Sequence, residues 1–446
     1  MTTHPEHITE SLHTPSLSLP KTAQPRIVVV GGGFAGMAVI RQLKNTDAQV
    51  VLIDRYNYHT FQPLLYQVAT AGLGPDSVAG PLRKVFKQYD NLHFRMAEVE
   101  RIHPKEQRID TSIGSLAYDY LVLAHGSRVN YFGNEHVAEN AFPLKQLPQA
   151  LDLRHHILQT MEQALLQSDS MKRQRLMNFI VVGGGPTGVE VAGALAELKR
   201  HVLPNDHPEL DLEKMNIQLV EGTDRLLMGM SEEAGTNAER YLEEFGVIIR
   251  KELFVEDYDG KTVKFSNGDT QEAATLIWAA GVTGNLIEGL SEKHLTKANR
   301  LHVDRYNQVK DHENIFAVGD AAHMETENYP EGHPMLAPVA MQQGKQLGKN
   351  LKRWLKAESP EAFTYFDKGS MATVGRNRAV ADLPGDFRLK GIFAWLAWLA
   401  VHLMFIVGFR DKIAILVDWV WNYFTYDRAA RLIVRPFVER YRQFQD

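Results

Sequence analysis

Two short glycine turns hold the residues best placed to do chemistry in this chain. The first lies in RIVVVGGGFAGMAVIRQLKNTDAQVVLIDR, where a β-branched run from Ile27 to Val30 leads into Gly31-x-Gly33-x-x-Gly36. A helix to about Leu43 and a second apolar strand ending at Asp54 complete a βαβ unit. In such a unit the first glycine permits a tight turn and the second lets backbone amides approach a pyrophosphate. The third lets helix and strand pack closely. The helix N-terminus adds the positive end of its dipole. Asp54 then sits where a carboxylate accepts hydrogen bonds from ribose hydroxyls. The pattern returns in NFIVVGGGPTGVEVAGALAELKR as Gly183-x-Gly185-x-x-Gly188, and the next strand, NIQLVEG, ends at Glu221. Pro186 suits a first helical turn, where its missing N–H would be unpaired in any case.

Two complete mononucleotide-binding units, too far apart to be a repeat array, imply two dinucleotides that exchange electrons. A nicotinamide hydride donor handing to a flavin is the economical pairing, because a flavin releases electrons singly or in pairs. Glu221 bears on the donor: a carboxylate at the ribose favours a 2′-hydroxyl and repels a 2′-phosphate, so NADH is expected over NADPH. Arg225 is the nearby cation that argues the other way. Further on, ENIFAVGDAAH reads as a strand from Ile315 to Val318, then Gly319 and Asp320 before a helix. Asp320 is there either a helix cap or a second acidic anchor for a flavin polyol hydroxyl.

The elements that must position these turns need a large scaffold. At 446 residues the chain exceeds one ordinary core and is expected to form two or three domains. A net charge of −5 argues against a nucleic-acid partner. The absence of cysteine removes disulfides, thiolate metal sites, iron–sulfur clusters and cysteine nucleophiles together. Residues 1–25 lack a basic start and an apolar core, and read as a disordered tail whose histidines are too irregular for a metal site. Near the other end, GIFAWLAWLAVHLMFIVGF (391–409) has no charged side chain and as a helix would be about 28 Å long. It is followed by a segment with Ile413, Leu416, Val417, Val420 and Phe424 at helical spacing. From Asp386 onward nine Arg or Lys stand against six Asp or Glu, a balance suited to anionic headgroups. With basic residues on both flanks of the stretch, helices lying in the membrane interface are expected rather than a span, with a protein-core helix as the alternative.

The order GGGFAG, FQPLLYQVATAGL, YLVLAHGS, VVGGGPTGVE, IWAAGV, NIFAVGDAAH and VGRNRAVADL, running from about Arg26 to Val434, resembles the two-dinucleotide-domain flavoproteins. More narrowly it is similar to the type II NADH:quinone oxidoreductases, single-subunit respiratory enzymes that do not pump protons. The resemblance implies an α/β fold with two Rossmann-like dinucleotide-binding domains and a C-terminal membrane-associating helical region. The FAD domain would comprise 26–170 and 297–350, interrupted by an NADH domain at 171–296, with the anchoring region at 351–446. FAD would lie against Gly31, Gly33, Phe34, Ala35, Gly36, Asp54, Arg55, Gln62, Gly126 and Asp320. NADH would lie against Gly183, Gly185, Thr187, Gly188, Glu221, Ala280 and Gly281. The segment Phe61 to Leu73 would line the flavin and a quinone tunnel, and Gly375, Arg376 and Asn377 would border the same region.

Two residues gain catalytic roles through the resemblance. Glu190 alone reads as an acidic residue favoured near a helix N-terminus; the family places it among nicotinamide, flavin and quinone, where it would relay protons. Ala337 and Gln342 match the family's Ala-Gln-x-x-x-Gln, but Pro338 replaces the first glutamine, which leaves Gln342 either beside the quinone or packed beneath the flavin. No metal is expected. Lack of cysteine excludes the disulfide reductases and sulfide:quinone oxidoreductases of the same architecture. A flavin-binding NADH-sensing protein with residual oxidation is the remaining alternative. The expected partners are NADH, a membrane quinone and the membrane surface itself, with monomer and homodimer both open. The expected location is peripheral, on the cytoplasmic face of a bacterial inner membrane.

Overall fold

The computed structural model describes residues 17–406, 409–428 and 430–434. These divide into two compact units. The first gathers residues up to Asn57, Phe86–Ser127 and Gly284–Tyr365; the second gathers Tyr58–Val85, Arg128–Thr283 and the chain from Phe366 onward.

The first unit is built on a five-stranded parallel sheet in the order Ile315–Ala317, Tyr120–Leu123, Arg26–Val30, Gln49–Asp54, Leu92–Met96. Continuous apolar runs such as IVVV are what a parallel strand covered on both faces requires, and Ile27, Val28 and Val29 are fully buried. Chain order reverses at Arg26–Val30, the point in an open parallel sheet where a crevice opens beyond the strand ends. The helix Phe34–Gln42 lies against Ala337–Trp354 so closely that a Cβ on Gly344 would come within 2.3 Å of the Ala35 carbonyl oxygen. Within residues 17–25, expected to belong to a disordered tail, Leu17 and Leu19 instead pack on the first unit while the others are exposed. Leu17 is buried in the core beside Val28 and Ile53, and the Arg95 side chain donates to the Leu17 and Ser18 carbonyls. Residues 1–16 lie outside the described residues.

The second unit repeats the plan: Phe142–Pro143, Thr275–Trp278, Asn178–Val182, Asn216–Val220 and Ile248–Arg250, all parallel. Its membership differs from the sequence-based boundaries at 170/171 and 350/351. Phe142–Pro143 joins the second sheet well before the second glycine turn, and the helix Leu147–Leu166 packs on Leu65–Ala69. At the other boundary the Phe363 amide donates to the Arg305 carbonyl at 2.7 Å and holds 351–365 in the first unit. Motif spacing reports where ligands bind, whereas packing decides which segments cluster.

The C-terminal part of the second unit begins with an antiparallel sheet, Ser370–Gly375, Arg378–Leu383 and Phe387–Lys390. Two helices follow, Gly391–Phe405 and Phe409–Thr425. The first has 15 residues, about 22 Å, and ends where Ile406 turns extended. Among the described residues no helix is long and apolar enough to cross a membrane. Its apolar side chains divide: Ala394 and Trp398 are buried, while Ile392, Phe393, Leu396 and Met404 are exposed. On the second helix Ile413, Leu416, Val417, Val420 and Phe424, the residues picked out by spacing, are all exposed. Part of the basic tail, including Arg435, Arg440 and Arg442, falls outside the described residues.

Candidate active site

The two glycine turns have the same construction. Gly31 and Gly183 adopt positive φ, 102° and 107°, and a Cβ on either would strike the neighbouring strand-end backbone, Ala124 at 2.3 Å and Ala279 at 2.9 Å. A Cβ on Gly36 would reach the Gly31 carbonyl oxygen at 1.9 Å, and one on Gly188 the Gly183 carbonyl oxygen at 1.8 Å. Gly33 and Gly185 differ from these four: nothing lies within 4 Å of a Cβ built on either. Each is the N-cap of its helix without a side-chain cap, and Pro186 opens the second helix as expected. The middle glycine of each turn thus faces open space at a helix N-terminus, the geometry that receives an anion.

The acids at the strand ends have a role the sequence did not reveal. Asp54 accepts from the Gly32 amide at 2.6 Å and the Tyr56 amide at 2.7 Å. Glu221 likewise accepts from the Gly184 amide and, at 2.8 Å, from that of Thr223. Each carboxylate therefore fastens its own turn, and each still has lone pairs for further donors. Burial raises the Asp54 pKa, partly offset by those amides and by Arg55. Arg225, weighed as a partner for a 2′-phosphate, spends donors on the Met230 and Met228 carbonyls at 3.0 and 3.1 Å.

Elsewhere in the first unit Phe34, Ala35 and Arg55 sit with their turn and its acid, and Arg55 lies over the Tyr56 ring. Gly126 has φ 72° and open space beside it. Of the two readings of Asp320, the helix cap does not hold. The residue belongs to a single 3-10 turn, Gly319–Ala321, and accepts from the Ser127 hydroxyl rather than capping a helix. The chain after it is drawn into a ladder, Ala322–His323 beside Leu301–His302, and the helix starts only at Ala337 with Pro338 in its first turn. That placement is one where proline fits and gives Pro338 a structural reason. Gln342 is half-buried on this helix. Its neighbour Gln343 is fully buried; its Oε1 accepts from the Gly319 amide at 2.8 Å while its Nε2 has no partner among the described residues.

In the second unit Thr187 is the second residue of the helix Pro186–Glu197, and Ala280 and Gly281 follow the strand Thr275–Trp278, Gly281 at φ 73° and close against the Phe132 ring. Gln62, expected with the first turn's ligand, is exposed at the start of a 3-10 turn and clusters with this unit.

Glu190 lies one turn into the helix Pro186–Glu197, is 8% exposed, and lines a pocket of about 110 Å³. The other walls include Tyr66, Gln67, Thr373, Arg376, Trp398, Trp419, Asn422 and Tyr423. Burial pushes the Glu190 carboxyl up to about 8, against the opposing pull of the Thr373 backbone and the Trp398 indole N–H. Among the described residues the indole nitrogen meets no acceptor in hydrogen-bonding geometry, so it lies near the carboxyl without forming a full hydrogen bond. Two turns along the same helix, Glu197 pairs with Arg428 at 3.2 Å and accepts from the Arg376 amide at 2.6 Å. Arg428 also donates to the Thr70 carbonyl at 2.8 Å, and the Arg376 guanidinium covers the Tyr426 ring at 3.5 Å and bonds the Tyr423 carbonyl at 2.7 Å. Trp419 donates to Gln67 at 2.9 Å, and Gln67 to the Tyr66 hydroxyl at 2.8 Å. Sequence reasoning singled out Glu190, Arg376 and the segment Phe61–Leu73 that holds Tyr66 but missed Trp398, Glu197, Asn422 and Arg428. The stretch around Trp398 is apolar on every side and offered no signal that this tryptophan faces inward.

Residues 25–344 match the family model described as pyridine nucleotide-disulphide oxidoreductase, and 368–426 match that of the NDH2 C-terminal domain. The class is thus a pyridine-nucleotide oxidoreductase built on two Rossmann-like sheets, here without the cysteines of a disulfide. The chain is 37% identical over 92% of its length, and 91% of the relative's, to the type II NADH:quinone oxidoreductase Ndh of Mycobacterium tuberculosis. It is 35% identical over 88% of its length, and 86% of the relative's, to NdhA of the same organism. The structure of NDH2 from Plasmodium falciparum in complex with NADH shares the fold, with a TM-score of 0.84 at 20% identity, covering 92% of this chain and all of that one. The chain belongs to the type II NADH:quinone oxidoreductases.

Proposed function

We propose that the protein oxidises NADH through bound FAD and reduces a membrane quinone, NADH + H⁺ + Q giving NAD⁺ + QH₂, without pumping protons. One observation carries the quinone half: Glu190, a carboxyl protonated near neutrality, lines a pocket walled by Trp398, Trp419 and Tyr423 from the same two helices that expose apolar side chains. A quinone needs an apolar route and its quinol needs protons, and this pocket offers both. Glu190 holds one proton ready for a quinol oxygen, as a general acid does when its pKa lies near the working pH. Tyr66 and Gln67 present polar groups to the same pocket.

The residues present fit a flavin dinucleotide in the first unit. Gly33 leaves space for a pyrophosphate at a helix N-terminus, Asp54 keeps lone pairs for a ribose, and Asp320 offers a carboxylate to the polyol. The unpartnered Gln343 Nε2 is a buried donor whose need a ligand would meet. When bound, FAD supplies the two-electron carrier between hydride donor and quinone. Gly185 would leave room for the NADH pyrophosphate with Thr187 beside it, while Gly188 keeps the turn closed against its helix. Glu221 would accept from the adenosine ribose, and Arg225, tied to backbone carbonyls, gives a 2′-phosphate little welcome. Gln342 remains a candidate beside the quinone or beneath the flavin. The exposed helical faces would seat the molecule on the bilayer surface, on the cytoplasmic side where NADH is made available.

The test is to purify the protein, record the flavin spectrum and follow NADH oxidation with and without a soluble quinone analogue. Bleaching by NADH and turnover with quinone are expected. No bleaching overturns the enzyme reading, and bleaching without quinone turnover favours an NADH-sensing flavoprotein instead.

A further inference from the structure

The ladder that displaced the expected helix after Asp320 brings together a second group of ligand-bearing side chains, which the reaction above does not use. Leu301–His302 pairs in parallel with Ala322–His323, and the register places His302 directly opposite His323. Partners opposite each other on neighbouring strands project to the same face. The two imidazoles stand edge to face with centroids 5.1 Å apart. Glu325, two residues beyond His323, comes round to the same side and places Oε1 3.0 Å from His323 Nε2. One ligand atom from each of His302, His323 and Glu325 lies within 4.8 Å of the other two.

We propose that His302, His323 and Glu325 form a binding site for a borderline divalent transition-metal ion of the Zn²⁺ class. Two imidazoles and a carboxylate are a donor set such ions take, with a fourth position left for water. Ligand atoms about 2.0–2.2 Å from a tetrahedral ion stand a little over 3 Å apart, close to the His323–Glu325 separation seen here. The backbone supports the arrangement. The Val303 amide donates to the His323 carbonyl at 3.0 Å and locks the ladder. Gly332, at φ 81°, lies against the Cε1–Nδ1 edge of the His323 ring, where a Cβ would come within 2.5 Å, and Nε2 is the atom that faces Glu325. Hard oxygen-seeking ions such as Mg²⁺ prefer carboxylates and water and are not favoured by two imidazoles. Bound metal would fasten Ala322–His323, the strand directly after Asp320, to Leu301–His302, and so acts as a staple rather than a redox centre.

The experiment titrates untagged holoenzyme with ZnCl₂ by calorimetry and, separately, with CoCl₂ while recording visible ligand-field bands. Wild type, His323→Ala and Glu325→Gln are compared. Glu325 is largely exposed, so its variant tests the site without threatening the fold. The expected result is one saturable site in the wild type, with Co²⁺ bands of a four- or five-coordinate ion and a raised melting temperature. Both variants should lose that site and that thermal shift, and a large excess of MgCl₂ should not compete. Zn²⁺ binding that is equal in all three proteins, or octahedral Co²⁺ bands unchanged by the substitutions, overturns the proposal and assigns the binding to histidines elsewhere in the chain. Wild type that takes up no metal at micromolar concentration overturns it as well.

Discussion

Glu190 is the residue whose ionisation should be visible from outside. Its carboxyl is held at about 8 by burial, so it is a neutral acid at pH 7 and becomes an unpaired buried anion above pH 8. Rapid-mixing measurements on Glu190→Gln should show flavin reduction by NADH nearly unchanged and quinone reduction slowed by roughly 10² to 10⁴, the usual worth of a positioned general acid. In the wild type the quinone step should fall as pH rises through 8, and in the variant that limb should flatten; equal losses in both half-reactions would remove Glu190 from the quinone side. Stability carries the same signature. A carboxyl whose folded pKa lies above its unfolded value of about 4.5 binds its proton more tightly when folded, so its contribution is complete below pH 4.5 and is lost as pH rises toward 8. Glu190→Gln should therefore gain stability relative to wild type at pH 9 and not at pH 5, measured by urea denaturation at the two pH values. The glycines allow a complementary test. Gly33→Ala has room for its methyl group in the protein itself and should fold normally but emerge with its flavin content much reduced. Gly36→Ala would drive a methyl into the Gly31 carbonyl and should fail to fold, so flavin content and melting temperature together separate ligand space from packing space.

At the scale of elements, the βαβ units were legible because each of their requirements is local: a buried apolar run, three glycines at fixed offsets and an acid at the next strand end. Arg26–Val30, Phe34–Gln42 and Gln49–Asp54 fall where the pattern puts them. What was not legible came from distant pairing. The ladder after Asp320 depends on a partner strand some twenty residues earlier, and Leu17 is buried by core residues that no feature of its own segment announces. The pocket was only partly readable, because its walls join residues 66–72, the helix that carries Glu190 and segments after residue 370, which are far apart in the chain. The tie between these segments and the Glu190 helix is the Glu197–Arg428 pair. Both side chains are largely buried, and Arg428 also satisfies the Thr70 and Ala194 carbonyls. Removing one member of such a pair leaves the other charge uncompensated, a loss on the order of 3 kcal/mol. Arg428→Met should lower stability by about that amount, and hydrogen exchange should show the helix Phe409–Thr425 losing protection before the parallel sheet does; a uniform loss of protection would mean that the pair does not hold this helix locally.

At the scale of the whole molecule, the question is what force would bring it to the lipid surface proposed above. The excess of basic residues after Asp386 suggests electrostatics, but five of the nine are already engaged. Arg388 and Lys390 pair with Glu233, Lys412 donates to the Met404 carbonyl, Arg428 pairs with Glu197, and Arg431 with Asp206 and Asp427. The net charge of −5 opposes an anionic membrane as well. The apolar face is not engaged in this way: Phe393, Val417 and Phe424 are 71%, 59% and 78% exposed. Adhesion driven by burial of apolar area is insensitive to screening, whereas attraction to headgroups fades as the Debye length shrinks from about 10 Å at 0.1 M salt to about 3 Å at 1 M. Co-flotation with vesicles containing anionic lipid should therefore persist across that salt range. Val417→Glu combined with Val420→Glu alters two exposed side chains and should leave the fold intact. It would forfeit the transfer of both valines, about 3 kcal/mol or roughly a hundredfold in partitioning. Turnover with a long-chain quinone embedded in vesicles should fall with that partitioning, while turnover with a water-soluble analogue should not change. Release from vesicles by salt alone, with the double variant still bound at low salt, would reassign the anchoring to charge and to the basic residues beyond position 434.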